Sequence, residues 1–272
     1  MGKKPIKTIF QFESIDDDLV IRLWNAFYSI LETLEFSRIG NCSRKFFYNV
    51  LWKDFFNLPL DEIPQSRYGI DDYLSKKFIK NWFDSAQWYE VYDFIEYLIQ
   101  TKETKFGDSF IKKINDALRT EVSAYRIVDE NIIQINLEEE VQEINQAIEV
   151  TDVINSVNTH LKTALNMLSD RASPDYRNSI KESISAVEAY CRILIGEEKA
   201  TLGKALAIVE KKYGLHGSLK TAFTALYGYT SDTGGIRHAI LEDDVEIKFE
   251  DAKFMMVSCS SFINYLSSKL AI

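Results

Sequence analysis

Residues 175–195 read DYRNSIKESISAVEAYCRILI, and their spacing predicts one long amphipathic helix. Apolar residues recur three or four positions apart and so share one helix face: Ile180, Ile184, Val187, Cys191 and Leu194. An adjoining polar stripe is formed by Lys181, Ser185, Glu188 and Arg192. Ser173, followed by Pro174, is typical of a helix start with the serine as N-cap. We therefore predict a core helix of a helical bundle.

The same spacing recurs along most of the chain, which holds only 4 prolines and 11 glycines. In the first half it predicts a helix from Asp16, at whose start aspartates suit the helix dipole, and further helices over 46–55, 73–83, 89–99, 106–122 and 137–152. In the second half it predicts helices over 153–171, 201–213, 219–226 and 250–270. Short connections favour antiparallel packing, so the predicted fold is mainly α with an antiparallel C-terminal bundle.

One segment departs from this helical pattern. Residues 125–128 and 132–135 are β-branched runs on either side of Asp129-Glu130-Asn131, which predicts a small β-hairpin. Charge changes further along: residues 1–149 hold 18 Lys and Arg against 26 Asp and Glu, whereas residues 150–272 hold 14 against 15. Aromatic content falls at the same place. We therefore predict two domains, 1–149 and 150–272.

Composition bounds the class of protein. An apolar fraction of 46% with 27% charged residues is typical of a soluble globular chain, and no apolar run approaches the roughly 18 residues of a membrane span. We expect a cytoplasmic protein that does not contact membranes. Three sparse cysteines and three unclustered histidines predict reduced thiols and no zinc site, so we expect neither metal nor cofactor. The net charge of −9 argues against non-specific binding of nucleic acid.

A glycine-flanked segment near the C-terminus carries the clearest chemistry. Residues 230–238 read TSDTGGIRH, which sets Arg237 beside His238. Arginine can donate two hydrogen bonds to a phosphate, and histidine exchanges protons near neutral pH. Residues 226–235 are predicted to be a loop whose side chains could approach a ligand: Tyr229, Ser231 and Asp232. The pair suits metal-free cleavage of a phosphodiester, and it equally suits a turn or a helix cap.

Two residues of the predicted helix 175–195 could complete such a site. Lys181 and Glu188 lie on its polar stripe, where they could face Arg237 and His238 across the bundle. The alternative is a solvated helix face stabilised by pairs of residues three or four positions apart, each worth a few tenths of a kcal/mol. By itself the spacing favours the solvated helix face.

Several segments resemble a known family. The C-terminal half resembles the C-terminal domain of bacterial abortive-infection proteins, which is similar to HEPN helical bundles, in 176–189 (YRNSIKESISAVEA), 227–238 and 254–266 (FMMVSCSSFINYL). The N-terminal half resembles an AbiJ-type N-terminal domain in 23–25 (LWN), 51–55 (LWKDF), 89–96 (YEVYDFIE) and 123–126 (SAYR). Together the two resemblances cover nearly the whole chain.

The resemblance implies a homodimer formed through the C-terminal bundle and a metal-independent endoribonuclease acting on RNA. In HEPN ribonucleases an arginine is followed by a polar residue and, four to six positions after the arginine, by a histidine. Arg237 and His238 match the first two, but the later histidine is absent, because Leu241, Glu242 and Asp243 stand there. Glu188 is similar in place to the acid that many HEPN helices carry.

Three outcomes follow from the missing histidine. His238 takes over acid–base catalysis; or Glu242 acts as base with Arg237 as phosphate clamp, although a carboxyl with a pKa near 4.3 rarely donates a proton; or hydrolysis is lost. The last outcome gives the alternative function, a non-catalytic sensor, scaffold or nucleotide-binding module. In either case a phage or host protein could act as trigger through the N-terminal domain. The four tryptophans of that domain are expected to build its core: Trp24, Trp52, Trp82 and Trp88.

Overall fold

The computed structural model describes residues 7, 9–34, 43–101, 107–231 and 247–270, with backbone only at 229–231 and 270. Its contacts divide the chain into a first unit, Met1–Asn136, and a second unit, Leu137–Ile272. The mainly α fold with a small hairpin is confirmed. The predicted boundary after residue 149 lies at the end of helix α6, Glu138–Val150, whereas the contacts group α6 with the second unit.

The first unit contains five described α-helices and two short hairpins. The helices are α1 (Asp17–Leu31), α2 (Arg44–Val50), α3 (Asp72–Ser85), α4 (Trp88–Gln100) and α5 (Asp108–Thr120). A π-helical turn, Leu51–Phe55, continues α2, and a 3₁₀ turn covers Leu60–Glu62. The strands are β1 (Gln65–Ser66), β2 (Gly69–Ile70), β3 (Arg126–Val128) and β4 (Asn131–Ile133).

Helix α1 begins where the aspartate run predicts. Asp16 caps it by accepting a hydrogen bond of 2.9 Å from the backbone N–H of Leu19. Its buried face has helical spacing: Leu19, Leu23, Ala26, Phe27 and Leu31. That face packs into a core shared with the other helices of the first unit.

Aromatic rings fill the centre of that core. Phe94 of α4 is fully buried, with ring centroids of four neighbours within 5.1–6.0 Å: Phe27, Phe55, Trp82 and Phe83. Trp52 is 1% exposed, and the other three tryptophans are partly buried against the same core. The structural role predicted for the tryptophans is confirmed.

The predicted hairpin is formed by β3 and β4, which pair antiparallel with Ile127 opposite Ile132. Side chains of neighbouring helices satisfy the outer edges of both strands. Asn115 of α5 exchanges two hydrogen bonds with the backbone of Ile127, at 2.8 and 3.1 Å, and Glu96 of α4 accepts one from the backbone N–H of Ile132. A hairpin that would be marginal in water is therefore held between two helices. The other hairpin, β1–β2, was not predicted, because two residues a strand give no alternation to read.

The second unit contains α6 and five further helices: α7 (Asn155–Ser169), α8 (Tyr176–Ile195), α9 (Leu202–Tyr213), α10 (Gly217–Ser231) and α11 (Phe249–Leu270). Helix α8 lies between α7 and α11 and buries the stripe predicted for it. Close approach of α7 and α8 is helped by the hydroxyl of Ser179, which donates 2.8 Å to the carbonyl of Ala164.

Helix directions in this bundle are mixed. Helices α7 and α8 are antiparallel, as predicted, since Ser179 meets Ala164 and Glu182 meets His160. Helix α11 runs in the same direction as α8 instead: the rings of Tyr176 and Phe249 meet edge to face at the two helix starts, and Ser183 contacts Met256 two turns further on. Short connections enforce antiparallel packing only between helices that follow one another in the chain, and α9 and α10 lie between α8 and α11 in the sequence.

Two local predictions in the second unit were wrong. Asp175, not Ser173, caps α8, because its carboxylate accepts from the N–H of Asn178 at 3.0 Å, whereas Ser173 donates its own N–H to Asp170. The loop predicted over 226–235 is helical as far as Ser231, in α10. An interior glycine such as Gly228 costs a helix only about 1 kcal/mol, which neighbouring interactions can outweigh.

Candidate functional site

The polar stripe of α8 is bonded mainly along its own helix. The Lys181 ammonium donates to the side-chain oxygen of Asn178 at 3.1 Å, and the Ser185 hydroxyl donates to the backbone carbonyl of Lys181 at 2.8 Å. Both contacts lie within one turn of α8: the first is a side-chain pair on the helix face, and the second is the bond that a serine commonly makes to the carbonyl four residues before it. Both side chains are half-buried, so Lys181 could still turn toward a ligand.

Glu188 is more firmly held. Its side chain is 13% exposed and accepts a hydrogen bond of 2.8 Å from Nη2 of Arg192. Nε of the same guanidinium donates to the backbone carbonyl of Ala200 at 2.6 Å. Arg192 thus links α8 to the segment that precedes α9, and Glu188 holds the guanidinium in the orientation that this link requires. The carboxylate also adds to the effect of burial in raising the pKa of Cys191 to about 12.

The remaining candidate residues follow in the chain. Tyr229 and Ser231 belong to the last turn of α10, where only the backbone is described. Four other candidates lie outside the described residues: Asp232, Arg237, His238 and Glu242. Their predicted approach to Lys181 and Glu188 therefore stays a prediction.

The described residues do show where the segment carrying Arg237 and His238 ends. Helix α11 begins at Phe249, whose ring centroid lies 6.0 Å from that of Tyr176 in the first turn of α8. At a rise of 1.5 Å a residue, Lys181 lies only about 8 Å along α8 from Tyr176, whereas Glu188 lies about 18 Å along it. The end of this segment therefore meets the end of α8 that carries Lys181.

Sequence reasoning missed an open cleft in the first unit, between α1 and α5. Its volume is about 430 Å³, and its polar lining comes from Arg22, Asn25 and Ser29 of α1 and from Lys113, Asp116 and Thr120 of α5. Each set has the spacing i, i+3, i+7, which places its members on one helix face. The polar residues at this spacing in α1 and in α5 were the only indication of the cleft that the sequence offered. We refer to this feature as the α1–α5 cleft.

Two further observations bear on function. Within the described ranges, no group of three or more His, Cys, Asp or Glu side chains is arranged to hold a metal ion. None of the helices described is both long and apolar enough to cross a bilayer.

The fold places the chain in a structural class, the mainly α proteins built of two units. Residues 1–150 match the model of the family AbiJ N-terminal domain 4, and this match covers more than half of the chain. The chain belongs to that family, whose domain supports a role in abortive infection, a form of phage defence. No curated protein and no solved structure matches the chain at a significant level.

Proposed function

We propose that this phage-defence protein is a metal-independent endoribonuclease that acts as a homodimer through its second unit. The observation that supports the proposal is the return of the chain at Phe249 to the first turn of α8, 6.0 Å from Tyr176. The segment carrying Arg237 and His238 connects α10 to this point. In the HEPN ribonucleases that residues 176–266 resemble, the catalytic arginine lies in the last helices of the bundle, and Arg237 stands in the sequence between α10 and α11.

The proposed chemistry needs one proton carrier and one anion binder. His238 takes the proton of the ribose 2′-hydroxyl or gives one to the leaving oxygen. Arg237 stabilises the charge that develops on the phosphoryl oxygens. Lys181 lies about 8 Å along α8 from Tyr176, so it is near the proposed site. Its only described side-chain partner is the neutral amide of Asn178, so its positive charge is available to the phosphate.

The geometry of Glu188 assigns it a different part in this proposal. Its carboxylate is engaged by Arg192, and it lies about 18 Å along α8 from Tyr176. Glu188 is therefore proposed as a positioning residue that holds α8 to the chain before α9. Glu242 remains the carboxylate that could act as the base.

Cleavage of RNA by the purified protein in the presence of a chelator tests the proposal. Arg237→Ala and His238→Ala are expected to lower the cleavage rate at least a hundredfold, within the range of general acid–base catalysis. His216→Ala is the matched control, since His216 is an exposed histidine whose Nδ1 accepts from the N–H of Ser218. Equal rates for wild type, Arg237→Ala and His238→Ala would exclude the ribonuclease.

Glu242→Gln separates the two catalytic schemes. If His238 carries the proton, Glu242→Gln retains the wild-type rate; if Glu242 is the base, its rate falls with that of Arg237→Ala while His238→Ala stays active. Both variants are compared with the wild type and with His216→Ala in the same assay, with the chelator present.

The hydrogen bonds of the polar stripe of α8 favour a second, non-catalytic function. The stripe residues Lys181, Ser185 and Glu188 all hydrogen-bond within α8, as a structural face would. This supports a non-catalytic sensor or scaffold, triggered by a phage or host protein bound through the first unit. Absence of cleavage of every RNA tried, together with specific recovery of one such protein in a pull-down, would favour this function over the nuclease.

A further inference from the structure

The α1–α5 cleft lies where two antiparallel helices cross. Lys113 of α5 reaches Ser29 near the end of α1, and Glu121, just after α5, accepts from Arg22 near its start. Two small buried residues, Ala26 and Ala117, form the floor between these two contacts. Larger side chains there would fill the space, so the alanines are what leaves a cleft open above the helix crossing.

One end of the cleft carries the ammonium group of Lys113. The Lys113 ammonium donates 2.8 Å to the hydroxyl of Ser29 and, among the described residues, contacts no carboxylate within ion-pair distance. The nearby carboxylate of Asp116 is engaged by Arg119 at 2.9 Å instead. Lys113 and Ser29 together therefore offer an ammonium and a hydroxyl to an anionic group.

The other end offers directional donors. Arg22 is held through Nε to Glu121, an orientation that leaves its side chain 51% exposed at the mouth of the cleft. Lys7 also binds Glu121, so the carboxylate is shared between two cations. Between the two ends, the Asn25 amide has no hydrogen-bond partner within the described part of the chain, and it carries both donors and an acceptor.

Length and charge together define the ligand. Arg22 and Ser29 are seven residues apart on α1, so the two ends lie about 10 Å apart along the helix, too far for one phosphate to bridge. A cleft of about 430 Å³ is within the usual range for a small organic ligand. Lys113, which has no ion-pair partner among the described residues, suits a single phosphate group better than a chain of phosphates. The net charge of −9 also disfavours an extended polyanion.

We propose that the α1–α5 cleft binds a nucleoside monophosphate. The phosphate lies on Lys113 and Ser29, and the flat base lies over Ala26 and Ala117. Asn25 and Arg22 then face the base edge, where carbonyl and ring nitrogen atoms accept hydrogen bonds. This site belongs to the first unit and is independent of the ribonuclease proposed for the second.

Equilibrium dialysis of the full-length protein against AMP, GMP, CMP and UMP tests the site. We expect saturable binding of at least one of them, weakened about tenfold or more by Lys113→Gln and by Asn25→Ala. Lys112→Gln is the matched control, because Lys112 is the exposed neighbouring lysine of α5 that does not line the cleft. It should bind within about twofold of wild type, and circular dichroism confirms that each variant is folded.

Three results would overturn the proposal. One is no saturable binding of any of the four nucleotides at millimolar concentration. Another is equal weakening by Lys113→Gln and Lys112→Gln, which would show attraction by general charge only. The third is binding of inorganic phosphate as tight as that of the nucleotide, since the base would then contribute nothing. RNA cleavage in chelator is measured on the same Lys113→Gln protein and is expected to be unchanged, so the two proposals fail separately.

Discussion

Aromatic rings dominate the core of the first unit, whereas aliphatic and small side chains dominate the second. Phe94 has four aromatic neighbours, several at steep interplanar angles, a geometry that the ring quadrupole favours. In the second unit α8 buries Ile184, Val187 and the hydroxyls of Ser179 and Ser183. Small side chains let two helix backbones approach, while rings hold helices apart and fix their angles by edge-to-face contact. The two units thus reach a closed core by different physical means.

The largest expected effect is on the aromatic core. Phe94→Ala should lower the free energy of unfolding by about 3–5 kcal/mol, because it removes a large buried ring and leaves a cavity. Urea unfolding followed by tryptophan fluorescence measures it, and all four tryptophans lie in the first unit. Tyr73→Ala is the matched control: Tyr73 belongs to the same unit and is 70% exposed, so its loss should change stability by less than about 0.5 kcal/mol. If Phe94→Ala lowered the free energy of unfolding by less than about 1 kcal/mol, aromatic packing would not be what stabilises the core of the first unit.

The reactivity of the cysteines tests whether the core of the second unit is closed to solvent. Burial raises the pKa of both Cys191 and Cys259 to about 12, from an ordinary value of 9.0. At pH 8 the thiolate fraction should therefore be about a thousandfold below that of a free cysteine. Ellman's reagent applied to a Cys42→Ser variant checks this, with the urea-unfolded protein as the reactive control. Prompt reaction of the native protein would show that the second core is open.

A polar network in the first unit gives the next effect. Glu121 is 6% exposed and accepts from Lys7 and Arg22. Burial by itself would raise the pKa of Glu121, but the hydrogen bonds from the two cations lower it below its ordinary value of 4.5. Since the folded pKa is the lower one, this stabilisation is complete above about pH 4.5 and is lost as the pH falls through the folded value.

Glu121→Gln should therefore reduce the free energy of unfolding at pH 7 by about 1–3 kcal/mol and flatten its decline in acid. Denaturation between pH 3 and pH 7 measures both effects. Glu62→Gln, at an exposed glutamate of the same unit, is the control and should change neither. An unchanged acid slope in Glu121→Gln would mean that other carboxylates carry the pH dependence.

The smallest expected effect concerns backbone strain after α5. Val122 has a positive φ of 56°, a region that β-branched residues rarely adopt. Val122→Gly should stabilise the protein by about 0.5–1 kcal/mol, the relief of strain minus the entropy that glycine adds to the unfolded chain. Val153 is 92% exposed and is not among the positive-φ residues, so Val153→Gly should be neutral or destabilising. Thermal unfolding of the two variants compares them, and destabilisation by Val122→Gly would refute the strain.

Most helices could be predicted, because their apolar spacing is periodic and their ends carry caps. Asp16 before α1 and Thr201 before α9 both accept from a backbone N–H inside the helix they precede. Errors occurred where a residue suits two roles. Ser173-Pro174 has the chemistry of a helix start, yet Asp170 binds the backbone of Ser173 and the cap passes to Asp175. Gly228 suits a loop but lies within α10.

The candidate site was less predictable. Lys181 and Glu188 share a stripe of α8, yet Glu188 pairs with Arg192 and lies far along the helix from Tyr176. Spacing on one helix says which face a residue occupies and nothing about which end of the bundle the next segment reaches. The α1–α5 cleft was missed for a related reason: each helix by itself shows an ordinary polar face, and only their crossing leaves space.

Periodicity, caps and the AbiJ-type segments were enough to establish a mainly α chain with a hairpin near residue 130, because these features depend on neighbours within a few positions along the backbone. The parallel course of α8 and α11, the aromatic packing around Phe94 and the contact of Lys113 with Ser29 depended on packing between distant segments. Local preferences are short-range and additive, whereas helix direction, burial and charge pairing are set by which segments meet in the folded chain.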